Sequence, residues 1–190
     1  TKKVILSTGQ VHAREYAGSV FILKEIQDLL VKAKEDEYLK ELLKHTIYVA
    51  VPCGNPDGRE AIVNGGSKEQ KSNNNGVDLN RNFPSLNGGQ LANGTRLSPN
   101  FSADKGSLYF GGETLGSEKE TKALMKWMET FVPIADSLVD YHQKGGGTYS
   151  RRDWDTKENR DRYIAYASQL RMHLNRNVSR NRYKVLDGPF

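Results

Sequence analysis

Short apolar runs alternate along this chain with longer stretches of helical period. Val4 to Ser7 predicts a buried strand, and Arg14 to about Lys34 predicts a helix whose apolar face carries Val20, Leu23, Ile26, Leu30 and Ala33. Lys32 to Lys44 is charged and helical, with Leu39, Leu42 and Leu43 as its buried side. Thr46 to Val51 is rich in β-branched residues and predicts a second strand. Further on, Ser117 and Glu120 read as a capping box opening a helix that runs to about Phe131, with Leu124, Trp127, Met128 and Phe131 on one side and Pro133 closing it. Ser137 to Tyr141 predicts a third strand, and Asp155 to about Asn177 a long amphipathic helix. Strand, helix, strand in this order predicts a parallel βαβ unit, hence a single α/β domain over 1–190 with a mixed, mainly parallel sheet flanked by helices. Between the elements, Gly54-Asn55-Pro56-Asp57-Gly58 has turn composition, and 64–76 and 85–108 are polar loops.

Composition narrows the class without naming a function. At 190 residues, 27% charged and 36% hydrophobic, the chain can bury one core, and it has no run of about 18 apolar residues to cross a membrane. The net charge of +5 comes from lysines and arginines mixed with acids along the chain, as on a solvated surface. An anionic substrate is the next reading, and no nucleic-acid-binding motif is present. Cys53 is the only cysteine, so no internal disulfide forms, and its place at a strand end suits packing better than nucleophilic attack. No signal peptide is visible, and Thr1 enters a strand almost at once, so upstream residues are expected to have been removed or not included.

Chemistry gathers where the strands end. Gly9-Gln10-Val11-His12-Ala13-Arg14-Glu15-Tyr16 follows the first strand and places an imidazole and a carboxylate three residues apart at the start of a helix. Such a pair can bind zinc and leaves room for a third protein ligand and a water. His142 follows the third strand. The Asn55-Pro56-Asp57-Gly58 turn and the Asp78 segment are also read as following strands, and in an open α/β sheet such ends line the ligand-binding edge. His45 and His173 lack this context and read as surface residues.

Five ordered motifs carry a resemblance over most of the chain. They are His12-Ala13-Arg14-Glu15; Asn55-Pro56-Asp57-Gly58; Gly76-Val77-Asp78-Leu79-Asn80-Arg81-Asn82-Phe83; Tyr109-x-Gly111 before Ser117-Glu118-x-Glu120-Thr121; and Asp140-Tyr141-His142. In this order the chain resembles the zinc carboxypeptidases, the carboxypeptidase A-like metallopeptidases. The resemblance implies one zinc ion per chain on His12, Glu15 and His142. It implies that Arg14 contacts substrate and acts in catalysis, and that Asn80 and Arg81 grip the terminal carboxylate. Asp78 and Asn82 would support that segment. The reaction implied is hydrolysis of the C-terminal peptide bond of a peptide by a monomeric enzyme.

Two departures from the pattern stand out. The family's arginine before the Gly-Val-Asp segment is expected at Asn73 or Asn74, where the oxyanion donor falls to Lys71 or an asparagine amide. The family's tyrosine and general-base glutamate would lie beyond Phe190, and its first strands before Thr1, so the domain is expected to be truncated at both ends; Glu158 is a minor substitute for the base. His142-Gln143-Lys144-Gly145-Gly146-Gly147-Thr148-Tyr149 is similar to bacterial members that cleave peptidoglycan stem peptides. A muropeptide substrate with a γ-D-glutamyl or diaminopimelate bond is therefore one alternative, with a secreted or cell-envelope location, a cytoplasmic one staying open. An inactive module that binds peptide C-termini is the other.

Overall fold

The computed structural model of the chain describes residues 1–84, 100–143, 147–150 and 184–187, together with 161, 165 and 168. Glu158, His173, the Gly145-Gly146 pair and most of the helix predicted over 155–177 lie outside the described residues; Asp161, Ala165 and Ser168 within that stretch are helical.

β1 (Lys3–Gly9) is the middle strand of a three-stranded sheet, between β2 (Thr46–Val51) and β3 (Ser137–Tyr141). Both pairings are parallel, as is that of β4 (Gly147–Ser150) with β5 (Lys184–Asp187) in a second sheet. The middle position explains why β1 is buried from Leu6 to Gly9 with Ser7 and Thr8 included. α1 (Ala17–Lys32) and α2 (Glu37–Lys44) make the crossover from β1 to β2, as the strand-helix-strand order predicts. No helix among the described residues is long and apolar enough to cross a membrane.

The face that α1 turns inward differs from the predicted one. Gly18, Ser19 and Ile22 are buried, whereas Val20, Leu23 and Leu30 are exposed. Contact with the sheet sets this rotation. A Cβ on Gly18 would lie 3.0 Å from Tyr141 Cβ and 3.1 Å from its carbonyl oxygen, so the helix rests on β3 through its one residue without a side chain. Hydrophobic period alone did not show that a glycine would be the point of contact. In α2, Leu39 and Leu43 are half-buried and Leu42 is exposed.

Asn55 to Gly58, read as a turn, is instead the first turn of α3 (Pro56–Val63). Asn55 is its N-cap: the side-chain oxygen accepts from Gly58 N and the amide donates to Val11 O. Pro56 at the first helical position loses no hydrogen bond there. Gly58 is hemmed in, since a Cβ would meet Asn55 Oδ1 at 2.5 Å, Ser72 O at 2.9 Å and Ala13 Cβ at 3.0 Å. Gly58→Ala is expected to destabilise the protein by about 1–3 kcal/mol through this overpacking, measured as a lowered urea midpoint with an unchanged slope.

α5 (Lys119–Phe131) buries Thr121 and Leu124 with Trp127, Met128 and Phe131 half-buried, and ends in a 3-10 turn (Val132–Ile134) that contains Pro133. Its capping box does not form. The N-cap is Glu118, without a side-chain cap, because the Ser117 hydroxyl donates to Glu118 Oε1 and accepts from Asn82 Nδ2. Leu124 packs with Val11 and Leu79, so α5 shares a core cluster with the loop behind β1 and with α4 (Leu79–Asn82).

Candidate metal centre

β1 ends at Gly9, and the next residue, Gln10, has a φ of +53°. This left-handed conformation is uncommon for a residue with a side chain. It turns the chain sharply, and the Gln10 amide holds the turn by donating to Ala13 O and accepting from the Ser19 hydroxyl. The turn brings His12 and Glu15 inward, where they are 6% and 4% exposed. β3 ends at Tyr141 and delivers His142 to the same place. One donor atom from each of His12, Glu15 and His142 lies within 4.8 Å of the others.

The orientation of the two imidazoles shows what this cluster can hold. Each Nδ1 faces one oxygen of Glu15, at 2.9 Å from His12 and 3.0 Å from His142, and the two Nδ1 atoms are 3.3 Å apart. Each Nε2 faces an aspartate: His12 pairs with Asp78 Oδ1 at 3.1 Å and His142 with Asp140 Oδ2 at 2.9 Å. All four ring nitrogens thus face carboxylate oxygens, and a proton on either nitrogen of a ring finds an acceptor. With the protons held on Nε2 by the two aspartates, both Nδ1 lone pairs and the Glu15 carboxylate would converge on one spot, where a cation would stabilise all three. Two imidazole nitrogens and a carboxylate oxygen suit zinc with one position left open.

The titration of the cluster follows the same geometry. Burial works against a charged Glu15, but its bonds with His12, His142 and Gln143 N hold it well below the usual carboxylate range. Burial likewise opposes a charged His142, yet Asp140 and Glu15 raise its pKa to about 10. Asp78 is lowered: burial opposes, while His12 and Lys71 outweigh it.

Asp78 does not follow a strand, contrary to the expectation from sequence. It comes from a loop, its N–H bonded to Phe110 O, and its carboxylate caps the single turn of α4 by accepting from Asn80 N at 3.1 Å. That turn carries Asn80 and Arg81. Arg81 is 5% exposed, donates from Nη1 to Asn80 O, and lies 5.5 Å from the centre of the Tyr109 ring. Its Nε is buried without a hydrogen-bond partner among the described residues, as is Nε of Arg14. Arg14 itself turns to the 64–76 loop, donating to Glu69 O at 3.1 Å. The structure thus brings His12, Glu15 and His142 together and joins Asn80 and Arg81 to them through Asp78, while Arg14 is anchored to Glu69.

The loop before α4 places the candidates for the missing arginine differently. Asn73 is 2% exposed, and its amide donates to Glu118 at 2.7 Å, alongside that of Asn75; Asn74 is exposed. Lys71 is the residue that turns inward: its ammonium is bonded to Asp78 Oδ2 and sits 4.5 Å over the Tyr109 ring. Glu118 and Asp140 are the polar residues that sequence reasoning left without a role. Cys53 is half-buried, and burial pushes its thiol pKa up, away from nucleophilic use.

Comparison with known proteins places this geometry. Residues 1–185 match the zinc carboxypeptidase family. The chain is 30% identical over 153 residues to the human carboxypeptidase N catalytic chain, covering 77% of this chain and 32% of that protein. It is 35% identical over 156 residues to rat carboxypeptidase D, covering 75% of this chain and 10% of that protein. Among solved structures, carboxypeptidase A from Helicoverpa armigera superposes with a TM-score of 0.78 at 21% identity, covering 98% of this chain and 45% of that one, a likeness that shows the fold. The chain therefore spans about a third of the human relative and under half of the insect one. A match that runs through all but the last few residues decides the assignment: this chain belongs to the zinc carboxypeptidase family.

Proposed function

We propose that this chain forms the metal-binding and carboxylate-gripping part of a metallocarboxypeptidase that removes the C-terminal residue of peptides. One observation carries the reading. Two imidazole nitrogens and a buried carboxylate converge on one point, and Asp78, which faces His12, also holds the backbone of Asn80 and Arg81.

His12, Glu15 and His142 would hold one zinc ion. A bound zinc ion supplies a Lewis acid for the scissile carbonyl and lowers the pKa of its water. Arg81, with Asn80 beside it, pairs with the terminal carboxylate of the substrate, and its unpaired buried Nε is a donor that an incoming carboxylate satisfies. Arg14 offers a second such donor farther along the peptide. Lys71, held by Asp78 against the Tyr109 ring, places a positive charge beside His12, where it favours the negative charge that develops on the carbonyl oxygen.

The test is hydrolysis of one peptide sequence in two forms, free acid and C-terminal amide, by the zinc-loaded full-length protein. Release of the last residue from the acid, with the amide at least about 100-fold poorer, is expected from the loss of a charge-assisted pair. Equal cleavage of both forms, or cleavage inside the chain, would overturn the exopeptidase reading. Turnover of a muropeptide alone would assign the site to cell-wall peptides. Full zinc occupancy with no turnover of any peptide would make it a binding module.

A further inference from the structure

We infer that Asp140, held in place by Thr8, is a positioning residue that sets the ring of His142 for metal binding. The inference rests on the reading of His142 as a ligand and goes beyond it to the residues that hold the ligand in place.

The parallel register of β1 and β3 sets Thr8 beside Asp140. Thr8 is 2% exposed and donates from its hydroxyl to Asp140 Oδ1 at 2.7 Å. The other oxygen, Oδ2, accepts from His142 Nε2 at 2.9 Å, two residues farther along the same chain. A hydrogen-bonded relay therefore runs from the middle strand, across the sheet, to the outer edge of the imidazole. When the ring gives up its second proton to a metal, the Asp140 carboxylate holds the remaining one on Nε2, and the Nδ1 lone pair is left facing Glu15 and His12 Nδ1. Without Asp140 the ring loses the carboxylate acceptor on that side. It could then rotate, or move its proton to Nδ1, and either change removes a donor from the cluster.

His12 is fixed in the same way by Asp78, but from a different part of the chain. Asp78 comes from the loop before α4, whereas Asp140 comes from the strand that carries His142 itself. His142 is 10% exposed on its side chain and Asp140 37%, so this pair stands at the rim of the site and not in its interior. Partners that orient a metal-bound histidine are worth about 10- to 100-fold in metal affinity. The open position of Asp140 puts the expected effect toward the lower end of that range.

The experiment measures zinc affinity of the full-length protein by chelator competition, together with the NMR resonance of His142 Nε2–H. The wild-type protein is expected to show a slowly exchanging, downfield Nε2–H signal both with zinc and after its removal. Asp140→Ala should lose that signal and bind zinc about 10-fold or more weakly. Asp140→Asn keeps an acceptor oxygen without the charge and should fall between the two. Thr8→Val should weaken zinc binding a few-fold, and Thr8→Ser should restore it, which a merely structural role of the strand would not produce. An Asp140→Ala protein with wild-type circular dichroism, an unchanged Nε2–H signal and zinc affinity within about twofold of wild type would sink the inference. If Asp140→Ala does not fold, Asp140→Asn and the Thr8 pair decide by the same two readouts. If the wild-type protein binds no zinc, the metal reading has failed, and the Nε2–H signal alone still tests the relay.

Discussion

Alanine in place of His142 is expected to leave the protein without stoichiometric zinc and without peptidase activity. His142 is one of three donors, and a zinc site that keeps two protein ligands is no longer the three-ligand arrangement on which such catalysis depends. The loss should exceed the roughly 100-fold that an orienting partner can cost. Removing the imidazole also strips Glu15 Oε2 of a partner, leaving Gln143 N among the described residues. The carboxylate then stays buried with less to stabilise its charge, so a lower melting temperature should accompany the metal loss. Elemental analysis of the dialysed protein checks the first expectation and a thermal melt the second. A full equivalent of zinc in the His142→Ala protein would falsify the ligand set.

Arg81→Ala is expected to lower kcat/KM for free-acid peptides by roughly 100-fold or more, because hydrogen bonds to a charged partner are worth about 1.5–3 kcal/mol and a guanidinium supplies them in pairs. The amidated peptide, which never engaged the arginine as a carboxylate does, should change little. The discrimination between acid and amide should therefore collapse, a signature that general damage to the site would not give. Arg81→Lys is expected to recover only part of the loss, since an ammonium keeps the charge but not the planar pair of donors. Steady-state rates on both peptides check this. An Arg81→Ala enzyme that still prefers the acid by its original ratio would move the carboxylate grip elsewhere in the site.

Much of the fold could be read from local pattern. β2 falls on the predicted residues because its β-branched run is a compact signal, β3 matches its predicted bounds as a short segment after Pro133, and His12, Glu15 and His142 stand out because ligand chemistry is rare just after a strand. What escaped depends on contacts between distant parts of the chain. The inward face of α1 is set by Gly18 against Tyr141, a contact that no hydrophobic scale weights. The asparagine run read as undifferentiated polar loop, yet Asn73 is buried because Glu118, 45 positions later, needs a donor. Ser117 looked like a cap until Asn82 and Glu118 competed for its hydroxyl. Asp140 and Thr8 are 132 positions apart and meet only through strand register, so no spacing in the linear sequence announces them.

The Asp78 carboxylate gives the site a built-in ruler. The same oxygen that faces His12 also receives the backbone N–H of Asn80, the residue before Arg81. On the proposed reading, one short, buried side chain would link the segment that grips the peptide's end to a ligand of the metal. A cleft measured this way counts residues from the chain end. If Arg81 grips the terminal carboxylate, such a cleft would admit one residue between grip and cut, whatever the length of peptide trailing outside. Lengthening that spacer by a single methylene, Asp78→Glu, shifts the origin of the count as well as the orientation of the ring it touches.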